Sequence, residues 1–222
     1  MATQYLLKLF LIFIPILVAI ILHEIAHGYV AYILGDDTAK NKGRLSLNPL
    51  HHVDLLGTIV LPVLLWLSNA GFMFGWARPV PINPYKLKNR PRDEILVASA
   101  GIIMNFCIAL LSALLLHFVD YIPFDFTRSI LSIFLIHMTI FNIGLAVFNA
   151  IPIPPLDGSK ILFGWIQKPW AYKFLNSYQY GLIIMVIILF ILPSIGKSIG
   201  LDLNLIGNYI ISATRYICSF LI

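Results

Sequence analysis

Charged side chains are what this chain has least of. They make up 11% of its 222 residues, against 59% hydrophobic, and the mean hydropathy is +0.89. Soluble domains carry about 25% charge, so the balance excludes an ordinary water-soluble domain and reads as a polytopic membrane protein. Cysteine is nearly absent too. Cys107 and Cys218 both lie in apolar stretches and neither has a zinc-type spacing, which argues against a disulfide framework and a cysteine metal centre. Internal repeats, low-complexity tracts and polar appendages of domain size are missing. The formal net charge of +5, from 15 Lys+Arg and 10 Asp+Glu, is better read as membrane topology and lipid contact than as nucleic-acid binding.

What is present is a series of apolar runs. Residues 5–34 predict a first helix long enough for about 30 Å of hydrocarbon. Gly35-Asp36-Asp37 ends it, and the alternation of residues 43–48 (GRLSLN) reads as a short strand. Residues 55–74 are apolar but carry Gly57, Pro62 and Gly71, a pattern that fits a re-entrant piece. Pro79, Pro81 and Pro84 exclude a helix over 79–84. Residues 95–119, 129–149, 178–193 and 199–221 predict further helices. The expectation is a single all-α integral-membrane domain over residues 1–222, with a core at 5–165 and additional C-terminal helices at 178–221. It would have about five to six transmembrane helices, with a short re-entrant or β element between the first and second core helices.

The chemistry is concentrated in His23-Glu24-Ile25-Ala26-His27, inside the first apolar run. On a helix, residues four apart share a face, so the two imidazoles can take two corners of a tetrahedral zinc at about 2.0–2.1 Å. Glu24 lies about 100° round the helix, where a general base for a metal-bound water stands. Packed core histidines sharing a glutamate would give the same letters. Three ionisable groups in a membrane-length run are costly, however, and point to function. The same motif means the run is not a cleaved signal peptide, since cleavage would remove the site. A catalytic zinc wants a third protein ligand, and Asp157 is the best candidate. It follows an apolar helix and precedes Gly158, which would let the backbone turn tightly; the competing acids lie in polar loops. His51, His52, His117 and His137 lack partners at ligand spacing and are left out.

HEIAH in an N-terminal membrane helix, followed by Asn149-x-x-Pro-x-Pro-x-x-Asp157-Gly158, resembles the site-2 protease family of intramembrane zinc metalloproteases. The likeness runs from residue 15 to about 165 and includes GRLSLNPL, FGWARPVPINP and the Gly101/Asn105 pair. It departs from the family pattern at Ile102, where proline often stands, and it matches the short members without a PDZ domain. The resemblance implies one Zn2+ per chain held by His23, His27 and Asp157, with Glu24 as catalytic base. Asn149 would contact substrate backbone or the oxyanion, and Asn105 is a further candidate there. It implies transmembrane-helix proteins as substrates.

Topology follows from the site. For His23, His27 and Asp157 to meet, the helices before residues 35 and 150 must end on one side, so segment 55–74 should not cross. Residues 36–94 then share one face and hold 8 of the 15 basic residues, which makes that face cytoplasmic. The expected location is the cell membrane, multi-pass, with the active site in the bilayer towards the cytoplasm. The alternative is a membrane zinc carrier or sensor without proteolytic activity, which has no need of Glu24.

Overall fold

A computed structural model of the chain describes residues 2–60, 63, 77–166, 168–175 and 177–222. Helix α1 spans Ala2–Ile33, and its Pro15 is tolerated inside an apolar helix. Its end is a paired closure: Gly35 donates to the Tyr32 carbonyl and Asp36 to that of Ala31, with Gly35 at φ +112°. A short helix α2 (Thr38–Asn41) and a 3-10 turn (Pro49–His52) follow. Leu55–Val60 form a π-helical turn, and the remainder of segment 55–74, apart from residue 63, lies outside the described residues.

The core is three long helices: α1, α3 (Arg92–Leu116) and α4 (Asp125–Asn149). Among the described residues, these are the three helices long and apolar enough to cross a membrane. They approach closely because the buried contact positions are small: Ala19, Ala26, Ala98, Gly101, Ala109, Ala113 and Ala146. Large apolar side chains such as Phe10, Phe13, Leu110 and Leu114 point outward, as lipid-facing positions should.

Beyond α4 come α5 (Asp157–Gly164), α6 (Pro169–Leu175), α7 (Tyr178–Val186), α8 (Leu192–Ser198) and α9 (Leu205–Cys218). A π-helical turn, Ile187–Ile191, joins α7 to α8; the expected count of five to six spans is not confirmed by length among the described residues. The run predicted over 199–221 is a helix of 14 residues, because Asp202 accepts from Asn204 N–H and Asn208 Nδ2 and holds residues 202–204 in a polar turn. The predicted strand is also absent among the described residues. Residues 43–48 have no partner strand, and their polar groups bond locally: His52 to the Ser46 carbonyl, Asn48 N–H to Ser46 Oγ, His51 to the Gly43 carbonyl.

Both flanks of segment 55–74 lie at the same end of the bundle. Asp36 accepts the Asn83 N–H at 2.6 Å, and Lys86 reaches Asp37 at 2.5 Å, which holds the Asp37 carboxyl below the usual carboxylate range.

Candidate metal centre

Four elements supply the site. His23 and His27 project from α1, one turn apart; α3 packs behind them; Asp157 is the first residue of α5, just past the end of α4. Gly101 is where α3 touches the imidazoles. A Cβ there would stand 2.5 Å from both His23 Cε1 and His27 Nε2, so only glycine lets the helix come this near. Gly158 has the same kind of role. Its φ is not positive; a side chain would run into the Ala150 carbonyl, so its reason is close approach and not the tight turn expected.

His23 Nε2, His27 Nε2 and Asp157 Oδ2 form a near-equilateral triangle, with edges of 3.0, 3.1 and 3.2 Å. A tetrahedron around zinc with bonds of about 2.0–2.1 Å has edges of about 3.3 Å, so the triangle matches one face of such a site. The hydrogen-bond network says what those atoms carry. Asn105 Nδ2 donates to the Ala19 carbonyl at 3.1 Å and to Asn142 Oδ1 at 2.8 Å, which leaves its Oδ1 as an acceptor facing His23 Nδ1 at 2.6 Å. His27 Nδ1 faces the Val97 carbonyl at 2.6 Å. Both Nδ1 atoms must therefore hold the proton, and both Nε2 atoms present bare lone pairs. Asp157 Oδ2 is buried without a hydrogen-bond donor. Three acceptors converge with no proton between them, at residues only 5–7% exposed. A cation resolves that repulsion, and these three are the group that could hold one.

Glu24 stands beside the triangle. Its Oε2 accepts the Val80 N–H at 2.8 Å, from the extended segment 77–83. That segment is fixed in turn by Arg44, whose Nη2 reaches the Arg78 carbonyl at 2.7 Å and the Pro79 carbonyl at 3.3 Å. Burial and the nearby Arg78 push the Arg44 pKa down while Glu24 pulls it up, and a guanidinium stays charged regardless. A cleft of about 280 Å³ opens over the centre, lined by His23, Glu24, His27, Asn149 and Asp157 together with Pro79 and Val80.

A peptidase family M50 model matches residues 11–192. The chain belongs to that family. A relative in Bacillus subtilis (strain 168), named "Putative zinc metalloprotease YwhC", is 37% identical over 184 residues, 81% of this chain and 80% of the relative. "Putative zinc metalloprotease Rip2" of Mycolicibacterium smegmatis is 27% identical over 212 residues, 92% of this chain and 78% of the relative. No solved structure matches the chain. The M50 assignment makes this a membrane metalloprotease of the site-2 type, with zinc as its metal.

Within this M50 peptidase, the structure brings His23, Glu24, His27, Asn149 and Asp157 to one cleft. Asn105 is elsewhere: fully buried behind His23, it touches no cleft and bonds the imidazole instead. His52, His117 and His137 each face a backbone carbonyl. Sequence reasoning passed over three residues. Asn142 had a visible signal, a polar side chain amid an apolar run. Arg44 had only its place in GRLSLNPL, and Val80 acts through its main chain, which leaves no mark in the sequence.

Proposed function

We propose that this chain is a site-2-type zinc endopeptidase that cuts peptide bonds in or near transmembrane segments of other membrane proteins, the chemistry of regulated intramembrane proteolysis. The observation that carries the reading is the convergence of three unprotonated ligand atoms and a carboxylate base in a cleft among apolar helices. His23, His27 and Asp157 would hold one zinc. When bound, zinc supplies a Lewis acid for the scissile carbonyl and an easily deprotonated water.

Glu24 would do the proton work. With Oε2 held by Val80, Oε1 accepts the proton of the attacking water and returns it to the leaving amine as the C–N bond breaks. Asn149 donates through Nδ2 to the Leu145 carbonyl, so its Oδ1 is left to accept a substrate N–H. A helical substrate must unwind before attack, because its carbonyls are otherwise hydrogen-bonded. The extended chain that borders the cleft is 77–83, not 43–48. Pro79 and Pro81 lack N–H groups, so the donors there are few and fixed.

The basic residues of 36–94, with Lys160, Lys168 and Lys173, support a multi-pass protein of the cell membrane with its cleft towards the cytoplasm. In detergent, with a single-span substrate, Glu24→Gln should lower cleavage by about 10²–10⁴-fold while zinc content stays at the wild-type level. Cleavage by Glu24→Gln at the wild-type rate would overturn the reading. A zinc carrier would instead keep its metal flux in this variant.

A further inference from the structure

A groove of about 860 Å³ runs between α1, α4 and α9, away from the metal centre. It is apolar apart from one stretch of α9, and two of its walls carry on along the chain to site residues. Ile20 on its α1 wall lies one turn before His23, and Phe148 on its α4 wall adjoins Asn149. Thr214 on α9 stands opposite Gly144, whose Cβ position would be 3.8 Å from the hydroxyl. Gly144 is about 7–8 Å along the helix axis from Asn149. This part of α9 is therefore at hydrocarbon depth, further from the basic end than the metal centre.

Two features at that depth lack partners. Arg215 lines the groove from an exposed position on α9, and no acid among the described residues pairs with it. An arginine inside the membrane is costly and marks a pathway or a partner. Beside it, the buried Thr214 Oγ1 makes no hydrogen bond. Several hydroxyls on the other helices do otherwise: those of Ser99, Ser132, Thr139 and Ser194 donate to the carbonyl four residues back. A guanidinium and an unpartnered hydroxyl on the same groove wall can together bind an anionic acceptor. The M50 match ends at residue 192, so this pair on α9 lies beyond the matched residues.

We propose that the groove seats a transmembrane helix of the substrate, and that Arg215 and Thr214 select a helix carrying an Asp or Glu about five residues from the cleaved bond. The occupant is a helix because the groove is lined by apolar side chains and runs between α1 and α4, two helices long and apolar enough to cross a membrane. The acidic group follows from the charge: Arg215 is a cation with donors only, and the Thr214 hydroxyl can turn its O–H to the same carboxylate. The proposal rests on the protease reading above, whose catalytic centre it would supply with substrate.

The test is a panel of single-span Leu/Ala helices, each bearing one Asp or one Lys at successive positions, reconstituted with the full chain in vesicles. Wild type should cut the Asp helix at one optimal position about tenfold faster than its Lys counterpart. Arg215→Glu should reverse that ratio, and Thr214→Val should shrink it. Because the readout is a ratio within one protein, a partly unstable variant still reports. Equal rates for Asp and Lys helices, or an Asp preference that survives Arg215→Glu, would overturn the proposal. In parallel, the photocrosslinker benzoylphenylalanine replaces Ile211, an exposed groove residue, in a Glu24→Gln chain. Cross-linking to the Asp helix over the Lys helix supports docking, and equal cross-linking to both counts against it. If wild type cuts nothing yet the Asp helix cross-links, the protease reading fails and the docking surface stands.

Discussion

Asn105→Leu tests whether the hydrogen-bond network, and not only the ligand set, makes the metal site. Leucine keeps the branched shape of asparagine and removes the acceptor that faces His23 Nδ1 at 2.6 Å. The imidazole then has two options. It can keep its proton on Nδ1, leaving a buried donor unsatisfied at about 1–3 kcal/mol. Or it can move the proton to Nε2 and cease to be a ligand. Either route predicts a zinc Kd raised about 10–100-fold, the range usual for losing a partner of a metal-bound histidine. Asn142→Leu should do less. It removes one of two acceptors from Asn105 Nδ2, and the Ala19 carbonyl still holds that amide, so about tenfold or less follows from one neutral hydrogen bond. Thr139 is the control, equally buried on α4 but bonded only to its own helix at Leu135. Thr139→Val should leave the Kd alone. The assay is competitive zinc titration of metal-free protein against a chelator, with the ligand-field spectrum of the cobalt form as a check on geometry. Wild-type affinity in Asn105→Leu, or equal weakening in Thr139→Val, would refute the reasoning.

Asp157→Ala should lose zinc while the protein remains inserted, and full metal occupancy in a His23→Ala, Asp157→Ala double variant would remove the site assignment. Gly101→Ala should also empty the site, because its Cβ would fall 2.5 Å from both imidazoles; metal analysis of purified protein checks this. Arg44→Lys should keep zinc but lower kcat/KM about 10–100-fold, since a point charge cannot span the Arg78 and Pro79 carbonyls that set Val80 against Glu24. Cysteines introduced at positions 40 and 88 should label from the same side of the membrane, and opposite labelling would break the topology.

The legible parts of this fold share a physical cause. HEIAH stood out because ionisable groups inside an apolar run have no cheap explanation, and α1, α3 and α4 stood out because their apolar runs are long and unbroken. Asp157 was reachable from the need for a third ligand after a helix exit. The strand over 43–48 was misread because alternation is only half of a strand; the other half is a neighbour to pair with, and none is encoded locally. The C-terminal run over 199–221 begins later than its hydropathy implied, because Asp202 accepts from Asn204 and Asn208 and holds a polar turn where a window sees an apolar stretch. Asn105 was placed near the substrate by family likeness, but whether a buried amide faces a cleft or a histidine depends on helix rotation. Glu24's partner was beyond reading, since a backbone N–H has no letter of its own.

Unpaired atoms then carry more information than paired ones. In a bilayer, water does not satisfy a stray donor or acceptor, so nearly every buried polar atom in the bundle is bonded within the protein. Asn142 bonds the Met138 carbonyl, Thr139 that of Leu135, Asn105 both neighbouring helices. Among the described residues, four buried side-chain atoms are left over: Arg44 Nε, His52 Nδ1, Asp157 Oδ2 and Thr214 Oγ1. The first two lie in the connection between α1 and α3. The last two lie in the membrane-embedded part, and they differ in kind. Asp157 Oδ2 is an acceptor among acceptors, which only a cation satisfies. Thr214 Oγ1 is a hydroxyl near the cationic Arg215 in sequence, and a carboxylate satisfies the two together. Different deficits in one apolar body fit two different occupants, a metal in the cleft and the proposed acid-bearing helix in the groove beside α9.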